Sequence, residues 1–160
     1  MGILYKPIGV IRTPFKKLQG MPIQAAGADG SRGQVIVLPQ FVEGLMDLDG
    51  FSHIILLYHF HQSAESRLTV TPFLDNRPRG VFATRAPSRP NPIGLSTVRL
   101  VAVKNQFLEV ENVDMLDKTP LLDIKPYVPR FDHFDTQRVG WLEGVDEITG
   151  DMKSDNRFAR

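Results

Sequence analysis

Chemistry in this chain is concentrated in a few short stretches. The first runs from Gly80 to Ser96 and reads Gly-Val-Phe-Ala-Thr-Arg-Ala-Pro-Ser-Arg-Pro-Asn-Pro-Ile-Gly-Leu-Ser. Pro87, Pro90 and Pro92 each fix φ and remove an N–H, and each pushes the residue before it out of the helical region. The result is a stiff loop that presents Arg85, Arg89 and Asn91. Rigid display of two guanidiniums and an amide suits a polar or anionic ligand. A proline-rich connector with solvated arginines is the plainer alternative.

The second stretch is His59-Phe60-His61-Gln62. On a strand both imidazoles face the same side. With His53 or His133 they could bind zinc. The chain has no cysteine and no carboxylate close to the pair, so a polar, ligand-contacting pair is preferred to a metal site. The third stretch, Asp117-Lys118-Thr119-Pro120, is on its own an ordinary Asx or type I turn. At strand ends on one rim of a small barrel, it would join the arginine loop and Gln62. Together they offer a carboxylate, guanidiniums, an amide and backbone N–H groups, a set suited to a zwitterionic or polar small ligand. Other chemistries lack their marks. There is no G-x-x-x-x-G-K and no G-x-G-x-x-G. Neither Ser88 nor Ser96 lies in G-x-S-x-G, so a hydrolytic triad would need partners from distant positions.

The elements that must hold these groups are short strands. Lys6–Thr13 alternates, with Ile8, Val10 and Arg12 on one side and Gly9 and Ile11 on the other. Residues 14–31 are irregular and long for a connector, which points to function or mobility. Gly33–Leu38 is a second strand. Phe41, Leu45 and Leu48 predict a short helix over 40–49 with Gly50 as its stop. Phe51–His61 is apolar on both faces and is expected to be central and buried. Its His53, Ile55, Leu57, His59 and His61 share one face. Arg67–Pro72 and Val81–Thr84 read as strand. Leu95–Val103 and Gln106–Val113 form a hairpin around Lys104-Asn105, and Leu121–Val128 is the last strand. Residues 131–144 leave room for one short helix, and 151–160 read as a polar, frayed tail.

No βαβ rhythm appears. The fold expected is mainly β: a small antiparallel barrel of about six or seven strands with one or two short helices. One domain over 5–135 and a C-terminal extension over 136–160, partly disordered, are expected. The 160 residues carry 19 basic and 18 acidic side chains, a net charge of +1. That gives no global field for nucleic acid, so an RNA partner must be held by a local basic patch. No apolar run approaches the roughly 20 residues of a membrane span. The absence of cysteine fits a reducing compartment.

The Gly80–Ser96 loop is joined by Asp114-Met-Leu-Asp-Lys-Thr-Pro-Leu-Leu-Asp-Ile-Lys-Pro-Tyr127, by Ile8-Gly-Val-Ile-Arg-Thr-Pro14, and by the strand from Phe51-Ser-His53 to Phe60-His-Gln62. Together they closely resemble the TrmO family (TsaA-like domain). The resemblance implies an S-adenosylmethionine-dependent methyltransferase on a β-barrel. Its substrate would be N6 of threonylcarbamoyl-adenosine beside the anticodon of a threonine tRNA. It also implies a cytoplasmic homodimer with cofactor sites near the interface. Position by position, the implied cofactor contacts are Pro22, Ile23 and Gln24, then His61 and Gln62, Arg85, Leu95, and Asp117, Lys118, Thr119 and Pro120. Ile23 stands where the bacterial members commonly have arginine. Lys118 stands where they commonly have glycine, so a positive φ there would carry an energetic cost. Longer members have a further C-terminal domain, for which residues 131–144 are expected to substitute in part.

Methyl transfer requires nucleophile, methyl and sulfur in line, and exclusion of water. It also requires something to take the N6 proton. His61, Asp117 and Tyr127 are the candidates, and the sequence does not choose among them. Arg85, Arg89, Asn91 and Lys125 are the candidate substrate contacts, through a carboxylate or phosphates. Two alternatives compete: a non-catalytic S-adenosylmethionine- or RNA-binding barrel, and a zinc-dependent hydrolase built on His59 and His61.

Overall fold

A computed structural model describes residues 2–25, 28–63, 65–145 and 152–158. Its strands arise where apolar residues alternate. Strand β3 (His53–His59) buries Ile54, Leu56 and Tyr58 and turns His53, Ile55, Leu57 and His59 outward, where they are half-buried. It lies between β6 (Ile93–Lys104) and β8 (Thr119–Pro126). With β1 (Gly9–Arg12), β2 (Arg32–Val37) and β7 (Phe107–Glu111), these close a barrel in the order β1-β2-β7-β6-β3-β8. Every neighbouring pair is antiparallel. Closure leaves no free sheet edge.

The barrel interior is filled by Ile11, Val35, Val37, Ile54, Leu56, Val98, Leu108, Val110 and Leu121, none more than 1% exposed. The β3–β8 register shifts between Leu57 and Tyr58. Such irregularities locally bend a strand and re-aim its side chains. This one lies at the end of β3 that carries His61. A separate two-stranded sheet, β4 (Thr69–Val70) with β5 (Arg79–Gly80), sits over a second small core of Val70, Val81, Ala86 and Phe158, with Phe73 packed against it.

Three expectations are corrected. Val81–Ala83 is a 3-10 turn and not a strand: Val81 O accepts from both Thr84 N–H and Thr84 Oγ1, so these carbonyls bond locally and not across a sheet. The helix expected over 40–49 is two 3-10 pieces, Pro39–Leu45 and Leu48–Gly50, separated by Asp47 at φ 65°. The frayed tail is not found over 152–158. Ser154 N–H donates to Met21 O, Ser154 O accepts from Gly20 N–H, and Phe158 is only 6% exposed. The remaining residues of that tail lie outside the described ones. Between barrel and tail run a one-turn helix α1 (Pro129–Asp132) and a 3-10 turn, Gly140–Gly144.

Candidate active site

Where β3 ends and β6 and β8 begin, the barrel rim opens into a cavity of about 820 Å3. Its walls are mostly apolar and come from three sources. The barrel and the 114–119 turn give Tyr58, Phe60, Met115 and Leu116. The first long loop gives Leu18 and Met21. The proline loop and C-terminal segment give Phe82, Trp141 and Phe158. Among its polar lining residues are Gln24, His61, Gln62, Arg85, Arg89, Asp114, Thr119 and Asp155. Apolar walls with a few placed polar groups, in a volume of about 300–1,000 Å3, are typical of small-ligand sites.

The prolines do what the sequence implies, and Arg89 helps them. Its Nη1 donates to the carbonyls of Val81, Thr84 and Ala86 at 3.1, 2.8 and 3.3 Å, and its guanidinium lies 5.9 Å from the Phe82 ring centre. Arg89 therefore staples the loop through Nη1, and the residue also lines the cavity. Arg85 is exposed on the cavity side and donates from Nη1 to Gln24 Oε1 at 3.0 Å. That bond ties the proline loop to the first long loop across 61 residues of sequence. Pro22 and Ile23 line the cavity beside it. Pro22 also bridges to Lys153 of the C-terminal segment.

At the end of β3, His61 Nδ1 lies 3.5 Å from Thr119 Oγ1, whose own proton goes to Leu116 O at 2.7 Å. Burial, then the neighbouring His59, holds the His61 imidazole below its usual pKa, so it is neutral at physiological pH. Gln62 and Leu95 are exposed on the cavity lip, Leu95 at 52%. Among the described residues no group of three or more His, Asp or Glu is placed to hold a metal ion.

A polar line, buried at Tyr58 and Ser96 and half-buried at Asp114, runs to the cavity wall. Tyr58 Oη is 2.9 Å from Ser96 Oγ, and Ser96 Oγ donates to Asp114 Oδ1 at 2.6 Å. Burial and the Asp114 charge push the Tyr58 hydroxyl well above its ordinary pKa, so it stays protonated and can serve as the donor to Ser96. Burial also raises the Asp114 carboxyl, to about 6, against the opposing pull of Ser96, of its own and Ala25's backbone N–H groups, and of Arg85. The sequence reading singled out neither Tyr58 nor Asp114, and it took Ser96 only as a possible nucleophile. The available signal was polar residues at inward positions of β3 and β6.

The remaining expected residues are not gathered here. Asp117 lies in the 114–119 turn that forms a cavity wall, but its carboxylate faces the other way. It accepts from Arg12 Nε at 2.9 Å, Lys16 Nζ at 2.6 Å and Thr13 N–H at 3.1 Å. It borders a separate shallow groove with Arg12, Lys16 and Arg32. Burial opposes its ionisation, but Lys16, Thr13 and Arg12 outweigh burial and hold its carboxyl well below the usual range. Lys118 is exposed at φ 64° and Pro120 is half-buried, and neither lines the cavity. Asn91 is exposed outside it. Lys125 pairs with Asp123 at 2.8 Å on β8, about 20 Å along the strand from Thr119. Tyr127 donates its N–H to His53 O at 3.1 Å, at the opposite end of β3 from His61.

The chain is 53% identical over 156 residues to a probable S-adenosyl-L-methionine-binding protein of Pyrococcus abyssi, covering 98% of this chain and 85% of that one. It is 38% identical over 135 residues to the tRNA (adenine(37)-N6)-methyltransferase of Escherichia coli, covering 78% of this chain and 57% of that one. The crystal structure of TrmO from Pseudomonas aeruginosa superposes with a TM-score of 0.74 at 41% identity, over 88% of this chain and 63% of that one. The chain thus spans less than two thirds of that solved TrmO chain and of the E. coli enzyme. The model of the tRNA-methyltransferase O N-terminal domain matches residues 10–133, and with the barrel and cavity now described, the chain belongs to the TrmO family.

Proposed function

We propose that this protein transfers the methyl group of S-adenosylmethionine to N6 of an adenine in tRNA. The observation that carries this reading is the cavity itself. In a chain of this family it brings Pro22, Ile23, Gln24, His61, Gln62, Arg85, Leu95 and Thr119 onto one surface. The donor set fits the cofactor. Apolar walls suit an adenine ring, Arg85 suits a carboxylate, and Gln24 and Gln62 suit an amine or ribose hydroxyls. When bound, S-adenosylmethionine supplies an electrophilic methyl on sulfur.

This chain's own residues then bind, orient and exclude water. The Arg85–Gln24 bond sets the relative position of two loops that would grip the cofactor. Phe82, Trp141 and Phe158 are among the apolar lining, and apolar walls would help to keep water from the transfer line. Trp141 is fixed by its Nε1–H bond of 2.8 Å to Ala83 O. Sulfur loses positive charge during transfer, so a carboxylate paired to it would hold back the reaction. Asp117, already paired with Arg12 and Lys16, is kept from that role.

The finer reading is that the target adenine carries a threonylcarbamoyl group beside the anticodon of a threonine tRNA. The enzyme would then work in the cytoplasm. A homodimer is part of the proposal. The outer face joining β3 and β6 is apolar at Ile55, Leu57, Ile93 and Leu95, and Leu95 reaches the cavity lip. Asp117, Lys118 and Pro120 do not line their own subunit's cavity, so they meet a cofactor only if a second copy brings them there. Several relatives are named only as binding proteins, which makes binding without turnover the competing reading. Purified protein incubated with methyl-labelled S-adenosylmethionine and threonylcarbamoylated tRNA separates the two. Label in tRNA supports transfer; tight cofactor binding with unlabelled tRNA supports the binding module.

A further inference from the structure

We propose that Asp114 is the general base of this site, held in place by Ser96 and Tyr58. The inference rests on the methyltransferase reading and names the group that takes the proton.

Three observations lead to it. First, Asp114 lies on the cavity wall, and it has no ion-pair partner within 4.0 Å among the described residues. The other carboxylates near the site are spent. Asp117 holds Arg12 and Lys16, and Asp155 holds Arg157 at 2.8 Å. Second, Asp114 is built in. Ser96 is 3% exposed and Tyr58 4% exposed. A line of two hydroxyls ending on a carboxylate is not needed to close a barrel whose core is filled by Ile, Leu and Val side chains. Direction follows from donor count: Ser96 gives its one proton to Asp114, so it accepts from Tyr58. One carboxylate oxygen is thereby oriented. Third, the carboxyl titrates near neutrality, where a base can both hold and release a proton. The charged or titratable groups acting on it are Arg85 from the proline loop and Tyr58 from β3.

The step balances simply. The N6 lone pair forms the bond to the methyl carbon as the carbon–sulfur bond breaks, and that bonding pair leaves with sulfur, which becomes a neutral thioether. The N6 proton passes to the Asp114 carboxylate, which becomes a carboxylic acid and later loses the proton to water. Ser96 and Tyr58 position the base without changing protonation state.

Single-turnover transfer should be followed on protein preloaded with labelled S-adenosylmethionine, from about pH 5 to pH 9. Wild type is expected to speed up as pH rises through about 6 and then level off. Asp114→Asn keeps the Ser96 contact. It is expected to bind cofactor within about twofold of wild type by calorimetry, but to lose on the order of a hundredfold in rate and the acidic limb of the profile. Ser96→Ala removes a bond that favours the carboxylate, so its profile midpoint should move to higher pH. The proposal is overturned if Asp114→Asn transfers at the wild-type rate, or if it loses cofactor affinity while keeping its rate at saturation. It is equally overturned if Ser96→Ala leaves the midpoint in place, a test that holds even where Asp114→Asn fails to fold. Wild-type protein that transfers no label at any pH brings down the methyltransferase reading as well, which separates the two failures.

Discussion

Gly94 on β6 lies flat against the ring of Tyr58 on β3, and the two are paired across the sheet. A Cβ at position 94 would collide with Cε2 and Cζ of that ring and crowd Phe60 behind it. The absence of a side chain at 94 is therefore what lets the Tyr58 hydroxyl reach Ser96. Gly94→Ala is expected to lower stability by about 1–3 kcal/mol through overpacking and to displace the hydroxyl from Ser96. Denaturant midpoints measure the first effect. An unchanged midpoint would show that the ring can move aside freely.

Lys118 sits at φ 64°, where a side chain is strained and glycine is not. Lys118→Gly relieves about 1 kcal/mol of strain but adds freedom to the unfolded chain. The expected net effect is stabilisation of up to about 0.5 kcal/mol, read as a small rise in melting temperature. A clear loss of stability would mean that the lysine side chain makes a contact worth more than its backbone strain.

Arg85 reaches from the proline loop to Gln24 of the first loop. Arg85→Ala is expected to weaken S-adenosylmethionine binding by about tenfold or more, the scale of one charge-assisted hydrogen bond. Its effect on stability should be small, since the side chain is exposed. Calorimetric titration checks the first and thermal melting the second. Unchanged affinity would take Arg85 out of the site.

Asp117 is held ionised by Lys16, Thr13 and Arg12. Its folded pKa is depressed below the ordinary 3.8, so the unfolded chain binds that proton more tightly. Its stabilising contribution is therefore fully present above that ordinary value and is lost as pH falls through the folded one. Asp117→Asn should cost about 1 kcal/mol at neutral pH, given partners that are 48% and 63% exposed. The gap to wild type should close in strong acid. A gap that persists there would point to packing and not charge.

Much of the barrel was legible in the sequence because strand alternation is a local signal. Ile54, Leu56 and Tyr58 could face only one side, and Asn105 could only be a turn. That residues 84–92 form neither helix nor strand was legible for the same reason, since each proline acts on its own neighbours. What could not be read was where side chains point once loops fold. Asp117 and Asp114 stand three residues apart in one turn, and nothing local says which faces the cavity. The long-range partners decide it: Arg12 and Lys16 capture one, and Ser96 captures the other. That Arg89, a residue of the cavity lining, also bonds three carbonyls of its own loop could not be read from the sequence. The 152–158 segment looked polar enough to fray, yet Phe158 finds a pocket between Val70, Val81 and Ala86, and that pocket exists only in the folded chain.

The most direct measurement is mass spectrometry of nucleosides from threonylcarbamoylated tRNA after incubation with the protein and S-adenosylmethionine. The expected result is one added methyl on the threonylcarbamoyl-adenosine nucleoside, absent without protein and strongly reduced with Arg85→Ala. Threonylcarbamoyl-adenosine left unmethylated at saturating cofactor, by protein shown to bind that cofactor, would contradict methyl transfer.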